Sequence, residues 1–128
     1  MHTPINIISD TPGLGGALTN PTEIARWKGK IARRYPVEYA GVTYRDAEAA
    51  YKANRSRRGP TPENMALMVN IMTAKLAQHP SLKNAIRDAG GRAWLETCRH
   101  VGYGGRWEGI GMASAFIRCL ADAYESQP

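Results

Sequence analysis

The sequence predicts an α+β fold: a small, helix-rich single domain with a few short strands. Three observations carry this expectation. The chain has 128 residues, 43% of them hydrophobic, enough to close one core over residues 1–128 without a second domain. Apolar residues recur at three- and four-residue spacing in several segments that end at proline or glycine. The stretches that read as strands are only a few residues long and are bounded by turn signals.

Taken in order, residues 5–8 (Ile-Asn-Ile-Ile) read as a short buried strand, closed by the turn-rich residues 9–16. Asn20-Pro21-Thr22-Glu23 then has the form of a helix start. Asn20 is the expected cap, Pro21 suits the first helical position, and Glu23 follows three residues after the cap. Ile24, Trp27, Lys28 and Ile31 fall on one stripe, and Pro36 ends the segment. Residues 37–42 suggest a hairpin turning at Ala40-Gly41. Thr43 is the expected cap of a second helix, on which Tyr44, Ala47, Glu48 and Tyr51 share a face.

Residues 54–60 form a basic break before Thr61-Pro62-Glu63, which opens the clearest helix of the chain. Its apolar stripe is Met65, Met68, Val69, Met72 and Leu76, and it stops at His79-Pro80. Residues 81–89 read as a shorter helix closed by Gly90-Gly91. Residues 92–98 suggest a strand, and residues 102–111 a glycine-rich loop around Arg106-Trp107-Glu108. A last helix spans residues 114–124, with Phe116, Ile117, Leu120 and Tyr124 inward.

Several classes of protein are disfavoured. Cys98 and Cys119 are too few and too isolated for a disulfide framework. No apolar run reaches bilayer length, and the first residues lack the basic-then-apolar order of a signal peptide. The expectation is a soluble, cytoplasmic protein with no membrane partner. Neither cofactor nor metal is expected, since among Cys98, His100, Cys119 and His79 only the nearly adjacent Cys98 and His100 have a ligand spacing. Cys119 lies within an apolar helix and reads as core rather than nucleophile.

The charge is unevenly placed. Residues 26–58 hold ten of the 17 Lys+Arg and three of the 11 acidic residues, so their local charge of +7 exceeds the +6 of the whole chain. Such a block suits a partner that carries phosphate, although it also serves as a solvated basic face. Within it, Glu48 is the most informative residue. A carboxylate in the middle of a small and aromatic stripe has to be neutral, paired or functional. Tyr44 and Tyr51 would raise its pKa by desolvation, and Arg55 would lower it. That environment suits acid–base work or the stabilisation of a developing positive charge. Trp107, in its glycine-rich surroundings, offers an indole face for a base, and the glycines let backbone N–H groups approach a ligand.

Several segments together resemble a known family. Asn20, in Leu18-Thr19-Asn20, resembles the asparagine of the Ser-Asn-Phe motif of NADAR (NAD- and ADP-ribose-associated) domains. The run from Tyr44 to Ala53 is similar to that family's Ser-Glu-His helix, with Glu48 at the glutamate. Ala74-Lys75-Leu76-Ala77-Gln78-His79-Pro80 resembles its Lys-Phe-x-Gln-x-Pro segment. Leu95-Glu96 is similar to the Leu-x-Glu strand, and Trp107-Glu108-Gly109 stands where the family has Trp-Gly. The resemblance spans residues 15–125. The chain departs from the pattern at Ala49 in place of the histidine, at Pro21 in place of the phenylalanine, and in lacking an aspartate before Trp107. It would be a divergent, compact member.

The resemblance implies a hydrolase, an N-glycosidase acting on ribosides or ADP-ribose conjugates. Breaking a C1′–N bond generates an oxocarbenium-like sugar, which a carboxylate beneath the ring can stabilise. Glu48 is expected in that role. Asn20 would hold ribose hydroxyls or the leaving group. Trp107 and Gly109 would meet the base, Tyr44 and Tyr51 would wall the site, and Arg26, Lys52 or Arg118 would meet phosphate. The expected partner is a phosphate-bearing nucleotide or ADP-ribose-type ligand, with modified nucleic acid as a further candidate. Two alternatives compete: a non-catalytic nucleotide binder acting as sensor or sponge, and a basic nucleic-acid-binding module.

Overall fold

A computed structural model describes residues 2–128. Among these residues the chain forms seven helices and two small antiparallel sheets, an α+β arrangement. Helices α1 (Leu14–Leu18) and α2 (Thr22–Trp27) precede a hairpin of β1 (Val37–Tyr39) and β2 (Val42–Tyr44). Then come α3 (Ala47–Asn54), α4 (Pro62–Gln78), α5 (Pro80–Ala89) and α6 (Arg92–Leu95). A second hairpin, β3 (Arg99–His100) and β4 (Gly109–Ile110), leads through a 3-10 turn to α7 (Ala115–Glu125).

The centre of the fold is α4 packed along α7, with α3 and β1 laid against α4. Helix α4 forms where the sequence signals it. The Thr61 side chain accepts from the Asn64 N–H at 3.2 Å, and Pro62 occupies the first turn, where its missing donor costs nothing. Met68, Ile71, Met72 and Leu76 are buried in the core together with Ile117 and Leu120 of α7. Each such side chain contributes roughly 1.5–3 kcal/mol on leaving water. Truncating Ile71 to alanine is the single change in α4 that would damage the core most directly, at a cost of about 2–5 kcal/mol.

The first hairpin turns at Ala40 and Gly41, both left-handed (φ 51° and 81°), as a two-residue turn of primed type requires. Residues 5–8 are extended but form only a single bridge, Asn6 to Arg99, with backbone bonds from the Ile7 N–H to Arg99 and from the Arg99 N–H to Ile5. The last helix is capped by Ser114, which accepts from the Ile117 N–H. Phe116, Ile117 and Leu120 are inward, and Tyr124 is half-buried.

Four expectations are corrected. Residues 14–16, expected within the turn, instead open helix α1, because Gly15 and Gly16 serve close packing; a Cβ on Gly16 would sit 2.6 Å from the Thr11 carbonyl oxygen. Residues 92–98 are not a strand but begin with helix α6. Neither Asn20 nor Thr43 caps a helix. The Asp46 carboxylate does so instead, accepting from the Ala49 N–H of α3 at 2.9 Å and from the Glu23 N–H of α2 at 3.1 Å. Finally, α2 ends at Trp27 and turns its Ile24–Trp27 side outward, leaving Trp27 61% exposed while Thr22, Glu23 and Ala25 are buried.

One buried cation holds the N-terminal elements. Lys75 of α4 is 3% exposed and donates to the carbonyl oxygens of Ala17 and Thr19, each at 2.7 Å. Those carbonyls belong to the C-terminal end of α1, where a positive charge also meets the helix dipole. Burial pulls the Lys75 pKa down to about 7, and Asp46 partly opposes the shift.

Candidate functional site

Glu48 occupies the first turn of α3. Ala47 and Ala50 beside it are fully buried, so the helix packs closely and carries the Glu48 side chain into the boundary between core and surface. The Glu48 N–H donates to the Asn20 carbonyl at 3.2 Å. Its carboxylate makes no hydrogen bond or ion pair among the described residues. Burial raises its pKa above the usual carboxylate range. Lys52, one turn along, and Arg55 oppose that shift, while Asp46 adds to it.

Two cavities meet at this carboxylate, and Glu48, Tyr51 and Trp107 line both. The inner one has a volume of about 200 Å³ and is walled by Asn20, Met68, His100, Tyr103 and Phe116 in addition to the shared three. Trp107 and Tyr51 meet edge to face at 5.7 Å, and His100 stacks on Phe116 at 4.2 Å. Two polar atoms on this wall are buried without partners, Asn20 Oδ1 and the Tyr51 hydroxyl. Asn20 Nδ2 points at Met68 Sδ, 2.9 Å away. A buried polar atom left unpaired costs about 1–3 kcal/mol, so these groups are ready to bond a ligand.

The outer cavity, of about 410 Å³, adds Lys52, Arg55, Arg58, Gly59 and Arg106 to the shared wall. None of its four cations is held in an ion pair among the described residues. The Arg106 guanidinium lies against Gly59, at a left-handed backbone (φ 93°) with no Cβ in the way, and donates to the Arg58 carbonyl at 3.3 Å. Arg55 lies over the Tyr51 ring, 5.8 Å from its centroid. Four cations around one carboxylate make this basin an anion trap.

The glycine-rich loop is not a cradle of free N–H groups. Glu108 accepts from the N–H groups of Gly102 and Tyr103, at 3.2 and 2.7 Å, and so closes the loop on itself. The backbone N–H of Tyr103 holds its pKa below the usual range. At the loop tip, the Tyr103 hydroxyl donates to Asp10 and accepts from Lys28. The loop therefore crosses the inner cavity as a strap, with Tyr103 and Trp107 both contributing to its wall.

Of the residues singled out from the sequence, Glu48, Asn20, Tyr51, Lys52 and Trp107 converge on these cavities. The other four line neither. Arg26 is held by both carboxylate oxygens of Glu23 at 3.0 Å. Tyr44 accepts from Asn54 at 3.3 Å, Gly109 pairs with His100 in the second hairpin, and Arg118 donates to the Met112 carbonyl. Arg55 lies near Glu48 and opposes its pKa rise, as expected, while Arg58, Arg106 and His100 take places the sequence did not assign. The basic run at 55–58 carried a signal for Arg58, whereas nothing local marked Arg106 or His100. Cys119 is buried in α7, and burial pushes its thiol up to about 12, which removes it as a nucleophile. No helix is long and apolar enough to cross a membrane among the described residues. In comparisons with protein-family models, curated proteins and solved structures, nothing matches this chain.

Proposed function

We propose that this protein is an N-glycosidase of riboside or ADP-ribose conjugates, a compact and divergent relative of NADAR domains. One observation carries the reading: an unpartnered, half-buried carboxylate stands where an aromatic cavity joins a cationic basin. A nucleotide has the same order of parts, a planar base, a sugar and an anionic group. With the base against Trp107 and phosphate among Arg55, Arg58 and Arg106, the sugar lies beside Glu48.

The chemistry follows from the charge. As the C1′–N bond lengthens, positive charge builds on the sugar, and an ionised Glu48 in a partly desolvated setting stabilises it more than water would. Asn20 Oδ1, which lacks a donor, accepts from a ribose hydroxyl or from an N–H of the leaving group. Of the residues expected to meet phosphate, Lys52 keeps that role, and Arg26 and Arg118 give way to Arg55, Arg58 and Arg106, which border the basin with it.

The test is turnover of a panel of riboside 5′-phosphates, β-NAD and ADP-ribosylated bases, followed by chromatography of the freed base. The expected result is release of base from at least one member by the natural protein and loss of about 10²–10⁴ in rate for Glu48→Gln. Tight binding with every ligand recovered intact replaces the enzyme with a nucleotide binder. Affinity only for nucleic acid, falling steeply with salt and indifferent to Glu48, replaces it with a polyanion-binding module.

A further inference from the structure

His100 plays no part in the reading above, yet it lines the inner cavity together with Glu48. Its ring is fixed from three directions. It stacks on Phe116 of α7 with 18° between planes, its backbone pairs with Gly109, and its Nδ1 lies 2.7 Å from the Ile7 carbonyl oxygen. A carbonyl only accepts, so Nδ1 carries the proton and the neutral ring presents Nε2 as a bare lone pair. No partner engages Nε2 among the described residues.

The surroundings favour that neutral form. Burial lowers the His100 pKa, against smaller opposing effects of the Ile7 carbonyl and the Glu108 charge. The titratable groups facing it are Glu108 from the loop and Glu48, Tyr51 and Tyr103 around the cavity. The site thus holds a carboxyl group and an imidazole base as separate groups on one cavity wall. This separation matters, because a carboxylate that takes up a proton no longer stabilises a cationic sugar.

We propose that His100 is the proton acceptor for the attacking water, a role that rests on the N-glycosidase reading and divides its labour with Glu48. The water oxygen bonds to C1′ while the C1′–N pair leaves with the base nitrogen. Nε2 takes one water proton and forms an imidazolium. With a purine leaving group that proton then passes to the departing nitrogen, which leaves as N–H; with nicotinamide, which departs as a neutral pyridine, it passes to solvent, and in both cases the ring returns to its neutral form. Glu48 stays ionised throughout.

Two measurements test this. Long-range proton–nitrogen correlation NMR of the labelled natural protein reads the tautomer directly. A bare Nε2 at neutral pH is expected, and a proton on Nε2 overturns the proposal without any substrate. The second measurement is the pH profile of kcat for His100→Gln, Glu48→Gln and the natural protein, using β-NAD and adenosine 5′-monophosphate as probes. His100→Gln is expected to lower kcat about 10²–10⁴-fold, to keep KM near the natural value, and to lose the histidine limb of the profile. Natural kcat with that limb intact overturns the His100 role and leaves the Glu48 reading standing. Where neither probe is turned over, the same profile is run on the panel member that is, and absence of turnover of every panel member by the natural protein overturns both.

Discussion

The backbone N–H of Glu48 donates to the backbone carbonyl of Asn20 across 3.2 Å. The first turn of α3 is thereby joined to the chain just before α2, and two side chains far apart in sequence share one cavity wall. Asp46 reinforces the joint by bonding the N–H groups of Glu23 and Ala49. Site geometry and stability are therefore coupled at this seam.

Asp46→Ala removes the side-chain cap of two helices at once. With each lost cap worth about 0.5–2 kcal/mol, the combined loss should reach about 1–4 kcal/mol. Urea unfolding measures it, and Asp46→Asn, which keeps one acceptor oxygen, should recover part of the loss. A change within experimental error for Asp46→Ala would exclude this capping role.

Glu48→Gln should stabilise the protein while removing function, by about 0.5–2 kcal/mol, as relief of a functional strain typically does. The sign with pH is specific. The folded pKa of Glu48 is raised by burial, so its ionisation costs stability as pH climbs from the unfolded carboxylate range through the folded value. The melting-temperature gap between variant and natural protein should widen over that interval and vanish below it. A constant gap would contradict a desolvated carboxylate.

Lys75 shifts stability in the opposite sense. Its folded pKa of about 7 lies below the unfolded value of 10.5, so the unfolded chain binds more protons between them and stability rises with pH across that window. Lys75→Met should erase this rise. It should also destabilise by about 2–4 kcal/mol at neutral pH, because the Ala17 and Thr19 carbonyls lose their donor. Denaturant titrations at several pH values measure both effects.

Arg58→Ala or Arg106→Ala should weaken binding of ADP-ribose about tenfold or more, the equivalent of one charged hydrogen bond. Arg26→Ala and Arg118→Ala should leave it near the natural value, since Glu23 and Met112 engage those side chains outside the basin. Calorimetric titration separates the two groups. The reverse order of effects would return the phosphate site to α2 and α7.

Much of the scaffold is written locally. Thr61-Pro62 starts α4, Gly90 and Gly91 end α5, and Ala40-Gly41 turns the first hairpin, because each needs only its own neighbours to be satisfied. Helix α1 was hidden because glycines used for close approach look the same in sequence as glycines used to turn. Glu48 was legible because a carboxylate on an apolar stripe breaks a local pattern. The cations were legible only in part, since Glu23 three residues before Arg26 on α2 marks that pair locally, whereas Arg106 meets Gly59 only through tertiary packing. His100 becomes informative only once Ile7 fixes its proton.

The wall shared by both cavities also gives the molecule a built-in optical reporter. Of its three indoles, Trp94 is sealed in the core at 1% exposure, Trp27 stands in solvent, and Trp107 alone borders the site. A ligand that excludes water from the Trp107 ring should change that residue's fluorescence emission while the other two stay constant. Occupancy can then be followed in the unlabelled protein, with Trp107→Phe silencing the signal.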